Sequence, residues 1–355
     1  MQSYSNEVYC GMNRRSFLQR MAAWGAFLGS GLAIPCMSGG QAGIASSGQQ
    51  SLAGSMLQAA AGTASRVVTV RNPAVLLENS GVNSRIADEM VAAGMQRLTG
   101  ESGADDAWKK LFKPGEVVGI KVNAMGGILS ATRPGVVAAL VSGLKRAGIR
   151  DENIIVWDRL TEELAKAGYV INKSGAGARC FGTDRDYDAH PETAGSVGSC
   201  FSSLVSSRCT ALINVPVLKD HDLSGVSLGL KNFYGAIHNP NKYHDNKCDP
   251  FIADLNTHPY LKDKLRLIVC DGLSMQYNGG PAFKPQWNDP FSTLIFGLDP
   301  VAVDRVGCGL IEEKRREKRL PPLKDAGREP VHIATAAQRG LGTDDPARIE
   351  VLSID

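Results

Sequence analysis

The sequence predicts an α/β protein: a largely parallel sheet covered by helices on both faces, a Rossmann-like arrangement closed by a short C-terminal helix and an edge strand. Three observations carry this. Short apolar, β-branched runs recur at Val117–Val122, Ile154–Trp157, Leu212–Val217 and Leu265–Cys270, as expected for strands buried on both faces. Segments with apolar residues at helical spacing lie between them, at Asn83–Leu98, Pro134–Arg146 and Asp299–Glu313. The chain also turns polar at strand ends, at Asn123, Asp158, Lys219–Asp222 and Asp271, where open α/β sheets place their sites.

Taken in order, Val67–Val70 reads as the first strand and Asn83–Leu98 as a helix with Ser84 near its N-cap. The turn Lys113-Pro114-Gly115 leads into Val117–Val122. After Gly126-Gly127, Pro134 opens a helix to about Arg146, proline being suited to the first helical turn. Strand Ile154–Trp157 ends at Asp158, helix Thr161–Ala167 follows, and Ile171–Ser199, rich in Gly, Asp and Ser, reads as an irregular excursion at the rim. The strand beginning at Leu212 then turns polar and enters a segment of helical spacing that holds Lys231 and Asn232. A helix near Ile252–Lys262, strands Leu265–Cys270 and Thr293–Leu298, a helix from Asp299-Pro300, a short helix Ile333–Gln338 and an edge strand Ile349–Ile354 complete the chain. The expected organisation is one α/β domain over residues 66–315, with residues 316–355 as an appendage packed on it.

The N-terminus reads differently. Asn13-Arg14-Arg15-Ser16-Phe17-Leu18-Gln19 precedes the mildly apolar run Met21–Ile34, and residues 1–45 resemble a twin-arginine export signal. Residues 46–65, rich in Gly, Ser, Ala and Gln, read as a flexible linker. The expectation is a periplasmic or extracellular protein, with the twin-arginine machinery as its export partner. No later segment reaches the roughly 18 apolar residues of a membrane span. At 355 residues, 43% apolar and 21% charged, the rest is an ordinary soluble composition. The net charge of +3 becomes +1 once Arg14, Arg15, Arg20 and Glu7 are set aside, which argues against a nucleic-acid partner. Six cysteines follow Cys36, with no C-x-x-C pair. Cys200 and Cys209 are either a disulfide or two free thiols. There is no G-x-G-x-x-G after the first strand and no P-loop, so neither a dinucleotide nor a nucleoside triphosphate is expected.

The chemistry concentrates between Leu212 and His244, which holds three of the six histidines. His221, flanked by Asp220 and Asp222, suits proton transfer, because neighbouring carboxylates raise a histidine's pKa. Lys231, among Leu228, Leu230 and Phe233, would become nucleophilic on burial. His238, His244 and Asp271, with Asp254 and His258 nearby, form a candidate divalent-metal set. Asn123 and Asn232 are candidate ligand contacts, and Asp299 before Pro300 is most simply a helix cap.

The motifs VVGIKVN, NVPVLKDHDLSGVSLGLKNFYG, VCDGLSMQYNGGP and GLDPVAVD, in that order, resemble the domain-of-unknown-function family numbered 362. That resemblance implies an α/β fold and no established reaction. A more distant one is chemically richer. His221 with Lys231 ten residues on, and Thr132-Arg133-Pro134 opening a helix, are similar to segments of the nickel-pincer lactate racemase family. This likeness implies Lys231 as the tether of a nickel-bearing cofactor, His221 as acid/base, and Arg133 as the clamp on a substrate carboxylate. His238 or His244 would then be the nickel ligand. Asp158-Arg159 stands where those racemases carry a second catalytic histidine. The functional expectation is an exported metal- or cofactor-dependent enzyme, isomerase- or oxidoreductase-like, acting on a small anionic molecule such as a hydroxy or keto acid by proton or hydride transfer. The alternative is a periplasmic metal- or cofactor-binding or maturation protein without turnover.

Overall fold

The structure, a computed structural model, describes residues 64–77 and 81–355. The export signal and the linker up to residue 63 lie outside the described residues.

Strand β1 (Ser65–Arg71) is followed by helices α1 (Ser84–Thr99) and α2 (Ala104–Leu111), then β2 (Val118–Val122), α3 (Pro134–Arg146), β3 (Ile154–Trp157), α4 (Thr161–Lys166) and β4 (Arg179–Cys180). A two-stranded excursion, β5 (Glu192–Ala194) and β6 (Val197–Ser199), precedes β7 (Ala211–Val215), β8 (Val217–His221), β9 (Gly225–Ser227) and α5 (Gly229–Asn232). Helices α6 (Phe251–Asn256) and α7 (Pro259–Lys262), strands β10 (Leu265–Gln276) and β11 (Asn288–Gly297), α8 (Pro300–Glu317), α9 (Val331–Gln338) and β12 (Ile349–Ile354) finish the chain.

The main sheet runs β12-β1-β11-β10-β7-β2-β3-β4, with the β8–β9 hairpin branching from β10. It is mostly parallel. Only β11, against both β1 and β10, and the β8–β9 pair run antiparallel. Strand residues alternate between two cores. Val68, Ile120, Ile154, Val156, Ile213 and Val269 pack on one face, and Val67, Ile155, Trp157, Leu212, Ile268 and Ile295 on the other. That double burial is why the strands read as continuous apolar runs.

Local signals set the ends. The Asn83 side chain caps α1 by accepting from the Ile86 amide, and Gly100 closes it in a left-handed conformation. Asp299 caps α8, accepting from the Val301 and Ala302 amides at 2.9 Å.

Several expectations change. The segment after Leu212 is two strands split at Pro216 and then a hairpin, with its helix confined to Gly229–Asn232. Gly225 permits the hairpin, at a φ of 78°. A side chain there would collide with the Arg328 carbonyl. The predicted helix 252–262 is broken at His258-Pro259, α2 was not anticipated, and β10 extends six residues past Cys270. Cys200 and Cys209 are free thiols, as are the other four described cysteines.

The topology also locates the site. From β2 the chain moves outward to β3 and β4 on one side, then returns to β7 and β10 on the other. The crevice at the carboxyl ends of β2 and β7 is therefore a switch point, the usual seat of a ligand in an open α/β sheet.

Candidate active site

At that crevice lies a cleft of ≈ 370 Å³ whose walls include Lys121, Asn123, Asp158, Arg159, Lys219, His221, Lys231, Asn232 and His244. Lys121 is on β2, with Asn123 just beyond that strand. Asp158 and Arg159 follow β3, the hairpin strand β8 brings Lys219 and His221, and α5 brings Lys231 and Asn232.

Four residues are too few to hold a helix by themselves, and side chains clamp α5 from outside. The buried Asp304 carboxylate accepts from the Gly229 and Leu230 amides at 2.7 and 3.0 Å. Asn214 donates to the Gly229 carbonyl and Asn256 to the Leu230 carbonyl. Asn232 donates to Asn214 Oδ1 at 2.8 Å and accepts from Asn123 at 3.3 Å. The backbone carrying Lys231 is thus fixed on every side.

The cationic side chains fall into two groups. Lys121 is paired, its Nζ 2.7 Å from Asp158 Oδ1, while Asp158 also accepts from the Ala124 and Arg159 amides. Lys219, Lys231 and Arg159 have no carboxylate within ion-pair distance among the described residues. Lys219 Nζ is buried and donates to Asn123 Oδ1 at 3.0 Å. Burial holds its pKa down to about 8, with Lys231 and Lys121 adding repulsion and Asp158 opposing. Lys231 Nζ lies 3.1 Å from His244 Nε2 and 4.3 Å from the centre of the Tyr234 ring. Burial brings it, too, down to about 8.

Hydrogen bonds assign the two imidazoles opposite tautomers. His221 Nδ1 receives the Leu223 and Ser224 amides at 3.1 and 3.3 Å, so its ring proton sits on Nε2. The Asp222 carboxylate is 3.2 Å from the same Nδ1, but it is exposed and takes the Leu223 amide itself at 2.9 Å. The two fixed amide donors decide the tautomer. In His244, Nδ1 faces the Pro240 carbonyl at 3.1 Å and donates to it, leaving Nε2 as an acceptor towards Lys231. Burial, reinforced by Lys231 and His244, pushes His221 down to about 2. That reverses the expectation of a raised value from flanking carboxylates. The Asp220 side chain is occupied elsewhere, by the Gly280 amide and Arg328. Burial also lowers His244.

Of the residues singled out from sequence, His221, Lys231, Asn123, Asn232 and His244 share this cleft. Arg133 does not. Its guanidinium is tied to Asp271 Oδ1 at 3.3 Å and Ser274 Oγ at 2.6 Å, and its backbone amide donates to the same carboxylate. Asp271 is fully buried in that arrangement and also accepts from the Leu273 amide, so it is no free ligand. His238 packs edge-on against Tyr187, ring centres 5.2 Å apart. Asp254 is held by Ser196 and Arg339, and His258 stacks on Phe201 and accepts from the Tyr260 amide. The expected set His238, His244 and Asp271 therefore does not converge, and no group of three His, Cys, Asp or Glu side chains able to hold a metal occurs among the described residues.

Sequence reasoning passed over Lys219 and Arg159 as ligand contacts. Both stand just past a strand's apolar run, which was the available signal. Arg159 lines the cleft, whereas Arg133 does not.

Fold and cleft together define an α/β protein with a cationic pocket at the carboxyl edge of its sheet. The chain belongs to the family described as Domain of unknown function (DUF362), whose model matches residues 118–309, a span that contains every residue lining the cleft. No curated protein matches it. Among solved structures it is similar to a crystal structure of a Thermotoga maritima protein from the Northeast Structural Genomics Consortium, at 13% identity and a TM-score of 0.43. That likeness covers 67% of this chain and 60% of the other, so the chain spans less than two thirds of that protein.

Proposed function

We propose that this protein is an exported enzyme that binds a small organic anion in the cleft and acts on it by proton transfer. The observation that carries the reading is the pair of buried amines, Lys219 and Lys231, which face one cleft and, among the described residues, have no carboxylate within ion-pair distance, the Asp158, Glu163 and Asp222 carboxylates of the same wall standing farther off. A buried cation without a counter-charge is costly, and a bound carboxylate would supply that counter-charge. Lys219 with Arg159 would hold the anion. The Nε2–H of His221 would donate to a substrate oxygen, and His244 Nε2 would exchange protons with Lys231 and the substrate.

Among the described residues no three His, Cys, Asp or Glu side chains form a metal set, and no step here runs through a metal. Lys231 has a reachable amine on which an organic group could be carried, and the intact mass of the purified protein decides that point.

The test is a panel of lactate, pyruvate, oxalate and inorganic phosphate, scored first by thermal shift and then by turnover in wild type and Lys231→Ala. Stabilisation by a small carboxylate, and turnover lost in the variant, is the expected result. Ligand retained by both proteins with turnover by neither would indicate the binding or maturation protein instead. Export is a separate strand of the proposal and rests on Arg14-Arg15. Changing both to lysine should leave the protein in the cytoplasm.

A further inference from the structure

The surroundings of Lys231 narrow the substrate class, on the basis of the anion-binding reading above. An amine that is to attack a carbonyl needs three things around it: a base to remove its protons, a donor to polarise the carbonyl oxygen, and a fixed position. The cleft supplies each. His244 Nε2 is an acceptor 3.1 Å from Lys231 Nζ, because its Nδ1–H is committed to the Pro240 carbonyl. His221, whose ring centre is 5.9 Å from that of His244, presents a donor, because two amides occupy its Nδ1. Asp304, Asn214 and Asn256 fix the backbone under the lysine.

We propose that Lys231 forms an imine with the carbonyl carbon of a small 2-oxo acid whose carboxylate is held by Lys219. In the forward step the Nζ lone pair attacks the carbonyl carbon, a C–N bond forms, and the C=O π pair moves to oxygen. His221 Nε2–H hydrogen-bonds that oxygen without surrendering its proton. The two protons of the neutral amine pass in turn through His244 Nε2 to the oxygen. The C–O bond breaks as water leaves, and the nitrogen lone pair closes C=N. Amine and ketone thus give imine and water, with no oxidant or reductant.

The arrangement favours a 2-oxo acid over an uncharged ketone because Lys219 faces the same cleft and lies close enough to feel the charge of Lys231. Arg159, without a carboxylate partner, gives a second contact at the same wall.

The experiment is reductive trapping. The full protein is incubated with pyruvate and sodium cyanoborohydride, and its intact mass and proteolytic peptides are measured, with acetone as the uncharged comparator. The expected result is one added, reduced pyruvate on the peptide bearing Lys231. Lys231→Arg, which keeps the charge, should abolish it. Acetone should be trapped far more slowly. His244→Gln should slow trapping by about 10²-fold or more, the low end of what a positioned acid/base contributes. Lys219→Met should require higher pyruvate for the same extent of trapping, with full extent recovered at saturation. No adduct at Lys231, adducts spread over surface lysines as in urea-unfolded protein, or a Lys231 already modified when isolated would each overturn the imine. Pyruvate that raises Tm without being trapped overturns the imine and leaves the anion-binding reading standing. Failure of every anion to raise Tm or be trapped overturns both.

Discussion

Replacing Lys219 by methionine should stabilise the fold while weakening anion binding, and both effects can be worked from its surroundings. The side chain is 1% exposed, and its ammonium contacts Asn123 Oδ1 at 3.0 Å and the Ser130 carbonyl at 3.4 Å, with no carboxylate in ion-pair range among the described residues. Its folded pKa of about 8 lies below the unfolded value of 10.5. The folded state therefore holds fewer protons than the unfolded state across that window, and stability rises with pH from about 8 to about 10.5. Below pH 8 the penalty is present in full. At roughly 1.4 kcal/mol per pKa unit it comes to about 3 kcal/mol. Methionine fills a similar volume without the charge but forfeits the hydrogen bonds, so the net gain at pH 7 is about 1–3 kcal/mol. Urea unfolding of both proteins at pH 7 and pH 10 measures it, and the gap should close at the higher pH. Lys231 titrates in the same window, and because the two amines repel each other, loss of the Lys219 charge also eases ionisation of Lys231 and adds to the gain at pH 7. Loss of one charge-assisted contact should weaken the binding of a stabilising anion by roughly 10- to 100-fold. A variant less stable than wild type at pH 7, or a gap unchanged at pH 10, would refute the reasoning.

Asp304 behaves opposite to an ordinary surface carboxylate. Burial raises its pKa to about 7 against the Gly229 and Leu230 amides that pull it down. The folded state therefore takes up a proton that the unfolded state lacks between about pH 4 and 7, so this group's stabilisation falls as pH rises through that window. Asp304→Asn should remove that slope, which amounts to about 2 kcal/mol between pH 5 and pH 7, in unfolding curves taken at those two values. It should also slow any Lys231-dependent reaction, because one of the three side chains that anchor α5 is altered. His332, fully buried, has neither ring nitrogen hydrogen-bonded among the described residues, and burial lowers its pKa to about 3. His332→Leu should raise stability by about 1–3 kcal/mol in thermal unfolding, whereas a loss would show that the imidazole has a bonded partner.

How much was legible follows from how local each signal is. Pro134–Arg146 and Ile154–Trp157 have the bounds read from sequence, because proline at the first turn and a β-branched run both act within a few residues. The partner of Arg133 is Asp271, 138 positions away, and nothing near Thr132-Arg133-Pro134 announces that the guanidinium is already engaged. His238 and His244 looked equivalent at six residues apart. The turn Pro240–Tyr243 separates them, sending one ring to Tyr187 and the other to Lys231. The segment read as helical after Lys219–Asp222 begins with a strand, Gly225–Ser227, before its helix. Burial on both sides of the β8–β9 hairpin removes the alternation that would have marked strands.

The cleft shows why backbone geometry, more than residue type, decides what a histidine can do here. His221 and His244 are the same side chain a few ångströms apart, yet one can only donate and the other only accept, because amides occupy Nδ1 in the first and a carbonyl occupies it in the second. Neither choice depends on solvent or on substrate, so the polarity of the site is set before anything binds, which is what preorganised catalysis requires. The lysine between them is handled in the same way. A four-residue helix has no stability of its own, and the buried carboxylate and two asparagine amides that pin it fix where the amine sits. On the reading proposed above, substituting His244 would remove the path for the amine protons and substituting His221 the donor to the carbonyl oxygen, whereas substituting Asp304 would remove a position. These two kinds of loss are separable: the first should change the pH profile of the reaction and the second its rate at every pH.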